Sequence, residues 1–477
     1  MELKKFLTEN LHYSLVDGKS IYGQGEMAVD FITPITGNPW KQIIPVTGKE
    51  VNESISIAQQ AFTKWSRVPA FQRAEMLRKV AALILENMDL LINTMTMEMG
   101  KTSREGRSEV IYSAGFFSWF AGEAERTYGK IIPSHVPNKN LKVFYEPIGV
   151  CGIITPWNFP LAMPARKIAA ALAAGCTIVA KPSPETPFTM LLLAKICHMA
   201  GIPTDALNVV IGPEKEIGNS LLNSSSVRKI SFTGSSDVGK YLYMKSGMTL
   251  KKLTLELGGH APLIVFDDAN IDCAVRETIV AKFRNSGQTC IAANRIIVQD
   301  KIYDKFLERF IASVKDLKVG DPFSETTDIS NILHPISVVK VNEQIDDALC
   351  KGAKVEYLTK KIYEPKIISD VTPGMKIFRE ETFGPIASIT KFSTLEEAIV
   401  LANSSEYGLT AYVFTESMKK AAIAVSQLEY GIIGVNDGLP STPQGSFGGI
   451  KSSGLGREGG PSGIYEYLTE KFVSIAF

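Results

Sequence analysis

Between Gly149 and Leu257 the chain alternates short apolar, β-branched runs with longer helical segments. The strand-like runs are GVCGIIT, TIVAK, ALNVVIG, VRKISFT and LTLEL, and the helical segments between them cover residues 162–173, 187–200, 214–222 and 237–244. Strands joined by helices of this length form right-handed βαβ units, so the pattern predicts a parallel sheet. Such sheets bind ligands at the carboxyl ends of their strands, which is typical of a nucleotide-binding fold.

Two glycine patterns compete for the phosphate-binding turn of this sheet. FTGSSDVG follows a strand run and opens a helix, although it carries Gly234 and Gly239 without a central glycine. A literal GxGxxG stands at 454–459, but it follows no strand run and opens no βαβ unit, so we reject it as a dinucleotide fingerprint. The first turn is therefore the expected phosphate site.

The composition bounds the number of domains and the class of partner. A chain of 477 residues with 45% hydrophobic and 21% charged residues is expected to form two or more globular domains. A second alternation of strands and helices, from Pro262 to about Phe447, predicts a further α/β domain. Because 51 Lys and Arg balance 50 Asp and Glu, we expect neither nucleic acid nor membrane as a partner, but a small molecule.

The first 150 residues carry three simpler patterns. Residues 1–50 are rich in Gly, Pro and Thr and predict an extended arm with short strands, whereas residues 51–128 have helical periodicity. Residues 129–147 predict a hairpin with Pro-Asn-Lys-Asn at its tip. The helical part contains an aromatic stripe that is more typical of a core than of a substrate tunnel, namely Phe116, Phe117, Trp119 and Phe120.

The six cysteines are scattered, without a CxxC pair or zinc-finger spacing. This usage fits free thiols in a reducing compartment and suggests no metal site. The N-terminus lacks the apolar core of a signal peptide, and the longest nearly apolar run, Ile168 to Ala180, is too short to span a bilayer. We therefore expect a cytoplasmic protein.

The stretch from Leu253 to Arg295 places a glutamate and a cysteine in two glycine-marked turns. Glu256 precedes a Gly-Gly pair, and Cys290 follows Gly287, where a helix is expected to begin or end. A cysteine at a helix N-terminus is favoured as the thiolate, so we interpret the two residues as a catalytic pair. An inert buried thiol is the alternative, because most cysteines are buried.

The sequences LELGG around Glu256 and GQTC ending at Cys290 resemble the two signature motifs of the aldehyde dehydrogenase superfamily. Five further matches follow the family's order: PWNFP, KPSPETP, FTGS, EETFGP and FGGIKSSGLGRE. The resemblance implies an α/β fold with a Rossmann-like cofactor domain (1–127 and 148–255) and an α/β catalytic domain (256–447). It also implies a small β oligomerisation element (128–147 and 464–477) that pairs the hairpin with the C-terminal strand, in a homodimer or homotetramer.

The resemblance assigns the chemistry of aldehyde oxidation to named residues. Cys290 is expected to attack the aldehyde, and the oxyanion is held by the Asn158 amide and the backbone N–H of Cys290. Glu256 is expected to activate the water that releases a free acid, because CoA-acylating relatives usually lack this carboxylate. Glu458 resembles the family's second carboxylate, which relays protons, and a helix-end charge is the alternative.

The family uses NAD or NADP, and the resemblance implies the contacts. Lys181 is expected at the adenosine ribose, Glu381 at the nicotinamide ribose and Phe383 beside the nicotinamide. NAD-preferring relatives often carry a glutamate three residues after the lysine, but this chain has Pro184 there, so we expect NADP to be accepted, with Ser183 nearby. The remaining residues expected in the cofactor site are Thr155, Pro156, Trp157, Gly234, Ser235 and Leu257.

Two arginines match positions where members of the family acting on succinate semialdehyde hold the substrate's distal carboxylate. Arg166 lies eight residues after Asn158, and Arg284 lies six residues before Cys290. Ser441 matches the hydroxyl that completes that pocket, although its neighbouring prolines depart from the family pattern. Structural ion pairs are the alternative for both arginines.

Other functions share part of this sequence pattern. A broad-specificity enzyme, or one acting on another ω-semialdehyde, would share every catalytic motif. A non-catalytic binding protein on the same fold would not need Cys290, Glu256, Asn158 and Lys181 together. A cysteine hydrolase ranks last, because the chain has only five histidines and none stands in a Cys-His motif.

Overall fold

The computed structural model describes residues 2–9, 13–21, 28–359, 361 and 363–477. Its α-helices, in chain order, are α1 (Glu2–Glu9), α2 (Gly48–Trp65), α3 (Ala70–Glu86), α4 (Met88–Met99), α5 (Ser103–Glu125), α6 (Ala162–Ala174), α7 (Pro187–Met199), α8 (Glu214–Asn223), α9 (Ser236–Ser246), α10 (Ile271–Phe283), α11 (Tyr303–Lys315), α12 (Pro335–Cys350), α13 (Lys376–Arg379), α14 (Leu395–Asn403) and α15 (Met418–Gln427).

The strands follow the same numbering along the chain. They are β1 (Ser14–Val16), β2 (Lys19–Ile21), β3 (Val29–Ile32), β4 (Pro39–Ile43), β5 (Lys130–Ile132), β6 (Lys139–Pro147), β7 (Val150–Ile154), β8 (Thr177–Lys181), β9 (Leu207–Val209), β10 (Val227–Thr233), β11 (Lys252–Glu256), β12 (Pro262–Val265), β13 (Arg295–Gln299), β14 (Val319–Gly320), β15 (Ile329–Ser330), β16 (Lys354–Tyr357), β17 (Lys366–Ser369), β18 (Ile386–Phe392), β19 (Tyr407–Gly408), β20 (Thr410–Phe414), β21 (Ile432–Val435), β22 (Ile450–Lys451), β23 (Gly454–Leu455) and β24 (Leu468–Ala476).

The first large sheet has the strand order β2-β1-β9-β8-β7-β10-β11-β23. Strands β9, β8, β7, β10 and β11 are parallel, and β1, β2 and β23 join the edges in antiparallel orientation. Helices α6 to α9 connect the parallel strands, and each begins within one residue of its predicted start. The predicted parallel sheet is therefore confirmed, and its strand ends form the edge at which a nucleotide is expected.

The second large sheet has the order β16-β17-β18-β13-β12-β20-β21 and is parallel except for β16. Every residue of β12 and β13 is buried, because helices cover both faces of the sheet. Helix α10 begins at its cap Asn270, whose side chain accepts a hydrogen bond from Cys273 N. The prediction of a second α/β unit is confirmed.

The third sheet is antiparallel and has the order β24-β6-β5. Strand β24 pairs with β6 along its whole length, from Leu468 opposite Pro147 to Ala476 opposite Lys139. Asn138, in the turn between β5 and β6, has a φ of 59°, which asparagine adopts more readily than most residues. The predicted hairpin and its pairing with the C-terminal strand are both confirmed.

The N-terminal arm is only partly as predicted. Strands β1 to β4 confirm the short strands, but the extended arm is wrong at residues 2–9, which form α1. Leu3 and Phe6 lie three residues apart on one face of this helix and are buried in the main core, and that packing stabilises the helix. Residues 10–12 and 22–27 of the predicted arm lie outside the described residues.

The aromatic stripe of α5 is part of the core. Phe116, Phe117 and Phe120 are completely buried, and Trp119 packs against the same cluster from a partly buried position. The prediction of a core role is confirmed.

No single helix in the described ranges has the length and apolarity needed to cross a bilayer, while α3 and α4, bent by 70° where they meet, satisfy those criteria as a pair by length and composition alone.

Candidate active site

The two glycine-marked turns of the signature motifs touch each other. Glu256 is the last residue of β11, and the following Gly258-Gly259 pair forms a turn that leads toward β12. A Cβ on Gly259 would overlap the backbone carbonyl oxygen of Cys290, so only glycine permits this approach. The glutamate and cysteine motifs are therefore brought together by direct backbone packing.

A helical segment ends at Gly287, which is one of the two expected alternatives, so Cys290 is not at a helix N-terminus and the expected dipole effect on its thiol is wrong. It lies in a turn between the 3₁₀ segment Arg284–Gly287 and strand β13. Asn285 and Ser286 in that segment have φ values of 53° and 54°, so no helix dipole is aligned with the thiol. Burial raises the pKa of Cys290 to about 12, although Arg166 opposes the shift. The resting thiol is therefore protonated rather than a stabilised thiolate.

Glu256 is a buried carboxylate without a protein partner. Its residue is 2% exposed, and neither carboxylate oxygen has a hydrogen-bond partner within the described ranges. Oε1 lies against Gly448, where a Cβ would come within 2.9 Å of it. Burial, followed by the charge of Glu458, raises the pKa of Glu256 well above its usual range. Two free oxygens with enhanced basicity suit a group that takes a proton from water.

Glu458 lies in a buried cluster of charges. Arg166 Nε donates to Glu458 Oε2 at 2.5 Å, Lys167 forms an ion pair with Oε1, and Ser231 Oγ donates to Oε1 at 3.2 Å. Burial alone would raise the pKa of Glu458, but Lys167 and Arg166 lower it below the usual range. Glu458 pairs with Phe447 through an isolated β-bridge, so its alternative interpretation as a helix-end charge is wrong.

Asn158 lies in the loop between β7 and α6, beside the cysteine loop. Its side-chain Nδ2 donates to the backbone carbonyl of Gln288 at 3.0 Å, two residues before Cys290. The residue is buried. The predicted oxyanion donor and the predicted nucleophile therefore come from loops that are hydrogen-bonded to each other.

A cavity of about 360 Å³ opens onto Cys290. All three predicted substrate residues, Arg166, Arg284 and Ser441, line it together with the cysteine. Tyr112 of α5 also lines it, and its hydroxyl is 2.5 Å from Ser441 Oγ. The cavity has the size of a small-molecule site, and it combines apolar walls with a few polar groups.

The two arginines of this cavity have different environments. Arg166 is 1% exposed and lies 4.1 Å from the centroid of the Phe447 ring, besides its ion pair with Glu458. Its Nη1 has no hydrogen-bond partner in the described part of the chain. Arg284 makes no ion pair with any described residue, and its guanidinium lies 5.4 Å from the centroid of the Phe159 ring. Arg284 is thus the cation available to an anionic ligand.

The predicted cofactor residues meet at the carboxyl ends of adjacent parallel strands. Thr155 and Pro156 follow β7, Ser183 and Pro184 follow β8, Gly234 and Ser235 follow β10, and Leu257 follows β11.

The FTGS turn has the geometry of a phosphate site. Ser235 caps α9 by accepting a hydrogen bond from Val238 N at 3.4 Å, and α9 begins three residues after the last residue of β10, so its N-terminus lies at the carboxyl end of that strand. A Cβ on Gly239 would overlap the Leu257 side chain, so glycine allows the helix to approach β11 closely. The rejected pattern instead begins with β23 at the antiparallel edge.

The remaining predicted cofactor residues lie between the two large sheets. Trp157 and Phe383 form an edge-to-face pair with centroids 5.7 Å apart, and His334 stacks on Trp157 with centroids 4.4 Å apart. Glu381 Oε1 accepts a hydrogen bond from Gly259 N at 3.0 Å. The strand ends, the capped helix and these groups from the second unit fit an extended dinucleotide.

Some charged residues of the site were missed by the sequence analysis. Lys181 Nζ lies 2.7 Å from Glu214 Oε1, and Glu214 lines a cavity of about 780 Å³ together with Trp157 and Pro184. In the sequence, Glu214 is only an acidic residue in the first turn of a helix. Lys101, Glu109 and Lys167 were also missed, because no local pattern distinguishes a buried charge from an exposed one.

The comparisons with known proteins agree with this geometry. The model of the aldehyde dehydrogenase family matches residues 21–473. The chain is 46% identical to the mitochondrial succinate-semialdehyde dehydrogenase of Arabidopsis thaliana over 97% of this chain and 88% of that protein. It is 43% identical to a glutarate-semialdehyde dehydrogenase of Pseudomonas putida and 42% identical to the NADP(+) succinate-semialdehyde dehydrogenase GabD of Escherichia coli, over 97% of both chains in each case.

Solved structures show the same similarity. An NADP-dependent enzyme of Escherichia coli has a TM-score of 0.96 and 41% identity, over 98% of this chain and 99% of that one. Betaine aldehyde dehydrogenase of Staphylococcus aureus, in complex with NAD+, has a TM-score of 0.95 and 32% identity, over 100% of this chain and 97% of that one. The chain belongs to the aldehyde dehydrogenase family, whose members oxidise aldehydes with NAD(P)+.

Proposed function

We propose that this enzyme oxidises short ω-carboxylate aldehydes, and succinate semialdehyde foremost, to the dicarboxylic acid. The observation that carries the proposal is Arg284, a guanidinium without an ion pair among the described residues, in the same cavity as Cys290. A carboxylate bound there gains charge-assisted and bidentate hydrogen bonds, which a neutral aldehyde lacks. Ser441 adds a hydroxyl beside it.

The reaction begins at the Cys290 thiol. Its pKa of about 12 means that the proton must leave as the sulfur attacks; it passes to solvent in the cavity, and Glu256 is kept for the later hydrolysis. The sulfur then bonds to the aldehyde carbon, and the carbonyl oxygen takes the negative charge of the broken π bond. Arg166, whose charge lowers the pKa of Cys290, favours the thiolate at this moment.

The oxyanion is stabilised by the Asn158 amide and the backbone N–H of Cys290. In the resting structure the amide donates to Gln288, so it turns to the oxyanion when the substrate binds. Such donors act in a water-poor site, and the loss of one typically costs about 3 kcal/mol of barrier. Collapse of the oxyanion re-forms the carbonyl as a hydride leaves the same carbon, and the product is a thioester on Cys290.

Glu256 completes the cycle. It accepts a proton from water, the hydroxide adds to the thioester carbon, and the Cys290 sulfur leaves and is reprotonated. Glu458 is the proposed relay for the released proton and holds it only transiently, because Arg166 and Lys167 keep its carboxylate ionised. Its negative charge also keeps the pKa of Glu256 high.

Residues of both large sheets hold the nicotinamide dinucleotide. Lys181 and Ser183 bind the adenosine ribose, Ser235 and the N-terminus of α9 bind the pyrophosphate, and Glu381 binds the second ribose. When bound, the nicotinamide accepts the hydride. Pro184 itself brings no carboxylate to the ribose, so NADP is accepted as well as NAD, although Glu214 binds Lys181 at 2.7 Å and Glu185 accepts a hydrogen bond from Ser183 at 3.1 Å.

We infer the assembly and the location from the exposed apolar side chains and the cysteines. Exposed apolar side chains lie on α9 (Val238, Tyr241, Tyr243 and Met244) and on the β24-β6-β5 sheet (Phe472, Phe144 and Ile131). Their burial between copies forms a homodimer or homotetramer, which light scattering after gel filtration tests. All six cysteines are free, which fits the reducing cytoplasm.

The domain limits follow the three sheets. The cofactor-binding domain is 1–127 and 148–255, the catalytic domain is 256–447, and the oligomerisation element is 128–147 and 464–477. The first sheet lies in the first domain except for Glu256 at the end of β11 and the edge strand β23, the second sheet lies in the second domain, and β24-β6-β5 lies in the third.

The experiment that tests the proposed substrate is a comparison of kcat/KM values. Succinate semialdehyde, glutarate semialdehyde and butanal are assayed with each cofactor at saturation. We expect both semialdehydes to exceed butanal by at least about thirtyfold, which corresponds to roughly 2 kcal/mol for a charge-assisted bond. Equal values for butanal and succinate semialdehyde would contradict a carboxylate site.

A further inference from the structure

The junction between α4 and α5 buries a lysine that the proposed chemistry does not use. Lys101 follows Gly100, whose φ of 73° ends α4, and its own carbonyl accepts a hydrogen bond from Thr96 Oγ1 at 2.8 Å. Its side chain is fully enclosed and forms an ion pair with Glu109, which is also enclosed. Replacing a buried ion pair by apolar residues is often neutral for stability, so the ion pair alone does not explain why these residues are buried here. The hydrogen bonds that both side chains make to the backbone of the active site indicate their role.

The ion pair holds both ends of one loop of the active site. Lys101 Nζ also donates to the backbone carbonyl of Asn158 at 2.9 Å. The second oxygen of Glu109 accepts hydrogen bonds from Leu161 N at 2.9 Å and Ala162 N at 3.0 Å, at the start of α6. The loop from Asn158 to Ala162 is therefore fixed at its first carbonyl and at its last two N–H groups.

The cysteine loop binds the same carbonyl. Asn285 Nδ2 donates to Asn158 O and to Gln288 O, both at 3.0 Å. The next residue, Ser286, has a φ of 54°, which is costly for serine and persists only where surrounding contacts fix it. The Asn158 carbonyl is thus the point at which Lys101 and the loop that carries Cys290 meet.

We infer that Lys101, paired with Glu109, is a positioning residue that fixes the Asn158 backbone so that the side-chain amide reaches the oxyanion. This rests on the proposed role of Asn158 as an oxyanion donor. The amide must leave Gln288 O when the oxyanion forms, and it turns about its side-chain torsions while the backbone stays where Lys101 holds it. A displacement of about 1 Å in such a donor costs on the order of a hundredfold in rate.

The test removes both charges at once. Lys101→Met combined with Glu109→Gln leaves no unpaired buried carboxylate, and the new amide oxygen still accepts from Leu161 and Ala162. We expect the burst rate of reduced cofactor to fall at least about tenfold, with KM and the alkylation rate of Cys290 within about twofold of wild type. In an Asn158→Ala background the same two substitutions should lower the burst rate by a further factor of less than about three, because the side-chain amide that Lys101 positions is absent. An unchanged burst rate, or an equal loss in both backgrounds, would overturn the inference.

The remaining variants separate the possible outcomes. If Asn158→Ala alone leaves the burst rate unchanged, the proposed oxyanion donor is wrong and the inference falls with it. If Asn158→Ala slows the burst while the double variant Lys101→Met with Glu109→Gln does not, only the inference fails. Lys366→Met, which removes a buried ammonium that donates to the carbonyls of Lys361 and Glu364 at 2.9 Å, is the matched control and should keep the wild-type burst rate.

Thermal unfolding shows which variants are folded. If the double variant does not fold, Lys101→Arg replaces it, because it keeps the charge and displaces the donor atoms. The comparison between the wild-type and Asn158→Ala backgrounds then decides the inference in the same way.

Discussion

Arg166 donates from Nε to Oε2 of Glu458 at 2.5 Å, and both side chains are almost fully buried. The arginine also lines the substrate cavity, so it faces a carboxylate of the protein on one side and the ligand space on the other. Arg166 therefore combines a structural ion pair with a position on the cavity wall, two features that the sequence analysis treated as alternatives. Arg284 makes no such pair among the described residues, and this difference leads to the first prediction.

Arg284→Leu should reduce kcat/KM for succinate semialdehyde by about thirtyfold or more, and for butanal by less than about threefold, because only the first substrate loses a charge-assisted bond. Arg166→Leu should lower kcat/KM for both aldehydes, because it removes one of the two cations that pair with the buried Glu458. Steady-state kinetics on purified variants measures both ratios. Equal losses for the two aldehydes in Arg284→Leu would mean that this arginine supports the fold instead.

Glu256→Gln should give a burst of reduced cofactor followed by a steady rate at least about a hundredfold below wild type, because hydride transfer precedes the step that needs the base. A base must be ionised, and burial raises its pKa, so the wild-type steady rate should increase with pH through an inflection well above the ordinary glutamate value. Stopped-flow absorbance across a pH series records both. A variant that binds cofactor and aldehyde but shows neither burst nor turnover would contradict the assignment, because Glu256 would then act before hydride transfer and not only in deacylation.

Alkylation of Cys290 by iodoacetamide in the cofactor-free enzyme should accelerate about tenfold per pH unit from pH 8 to pH 10, without a plateau. The thiolate is the reactive form, and a pKa of about 12 leaves its fraction rising over this whole range. Mass spectrometry of the peptide that contains Cys290 separates it from the partly exposed Cys273 and the exposed Cys350. A plateau near pH 8 would show that the thiol is activated in the resting enzyme.

Glu214→Gln should tighten NADP+ binding by about tenfold and change NAD+ binding by less than about threefold. The carboxylate of Glu214 forms an ion pair with Lys181 at 2.7 Å and would repel a 2′-phosphate bound at that lysine. The Glu214 side chain is 71% exposed, so solvent weakens this repulsion. Quenching of tryptophan fluorescence gives both Kd values without turnover. Glu216→Gln on the same helix, where the native carboxylate binds Gly48 N at 3.0 Å, is the control, and an equal change in both variants would assign the effect to net charge.

The sequence by itself determined the order and type of the elements around the cofactor. The strands and helices between Gly149 and Leu257 are specified by local periodicity, because each buries one face against its neighbours. The glycines of the signature motifs also indicated close backbone contacts from the sequence alone, as between Gly259 and Cys290. The helix at residues 2–9 was missed, because its stability depends on burying Leu3 and Phe6 in a distant core.

Only the tertiary structure decided the electrostatics of the site. Arg166 and Glu458 lie 292 positions apart in the chain, and no local pattern indicates that their charges meet. The same holds for Lys101 beside Asn158 and for Glu214 beside Lys181. The thiol of Cys290 is protonated because burial outweighs its cationic neighbour, and burial is a property of the packed molecule rather than of the residues that flank the cysteine.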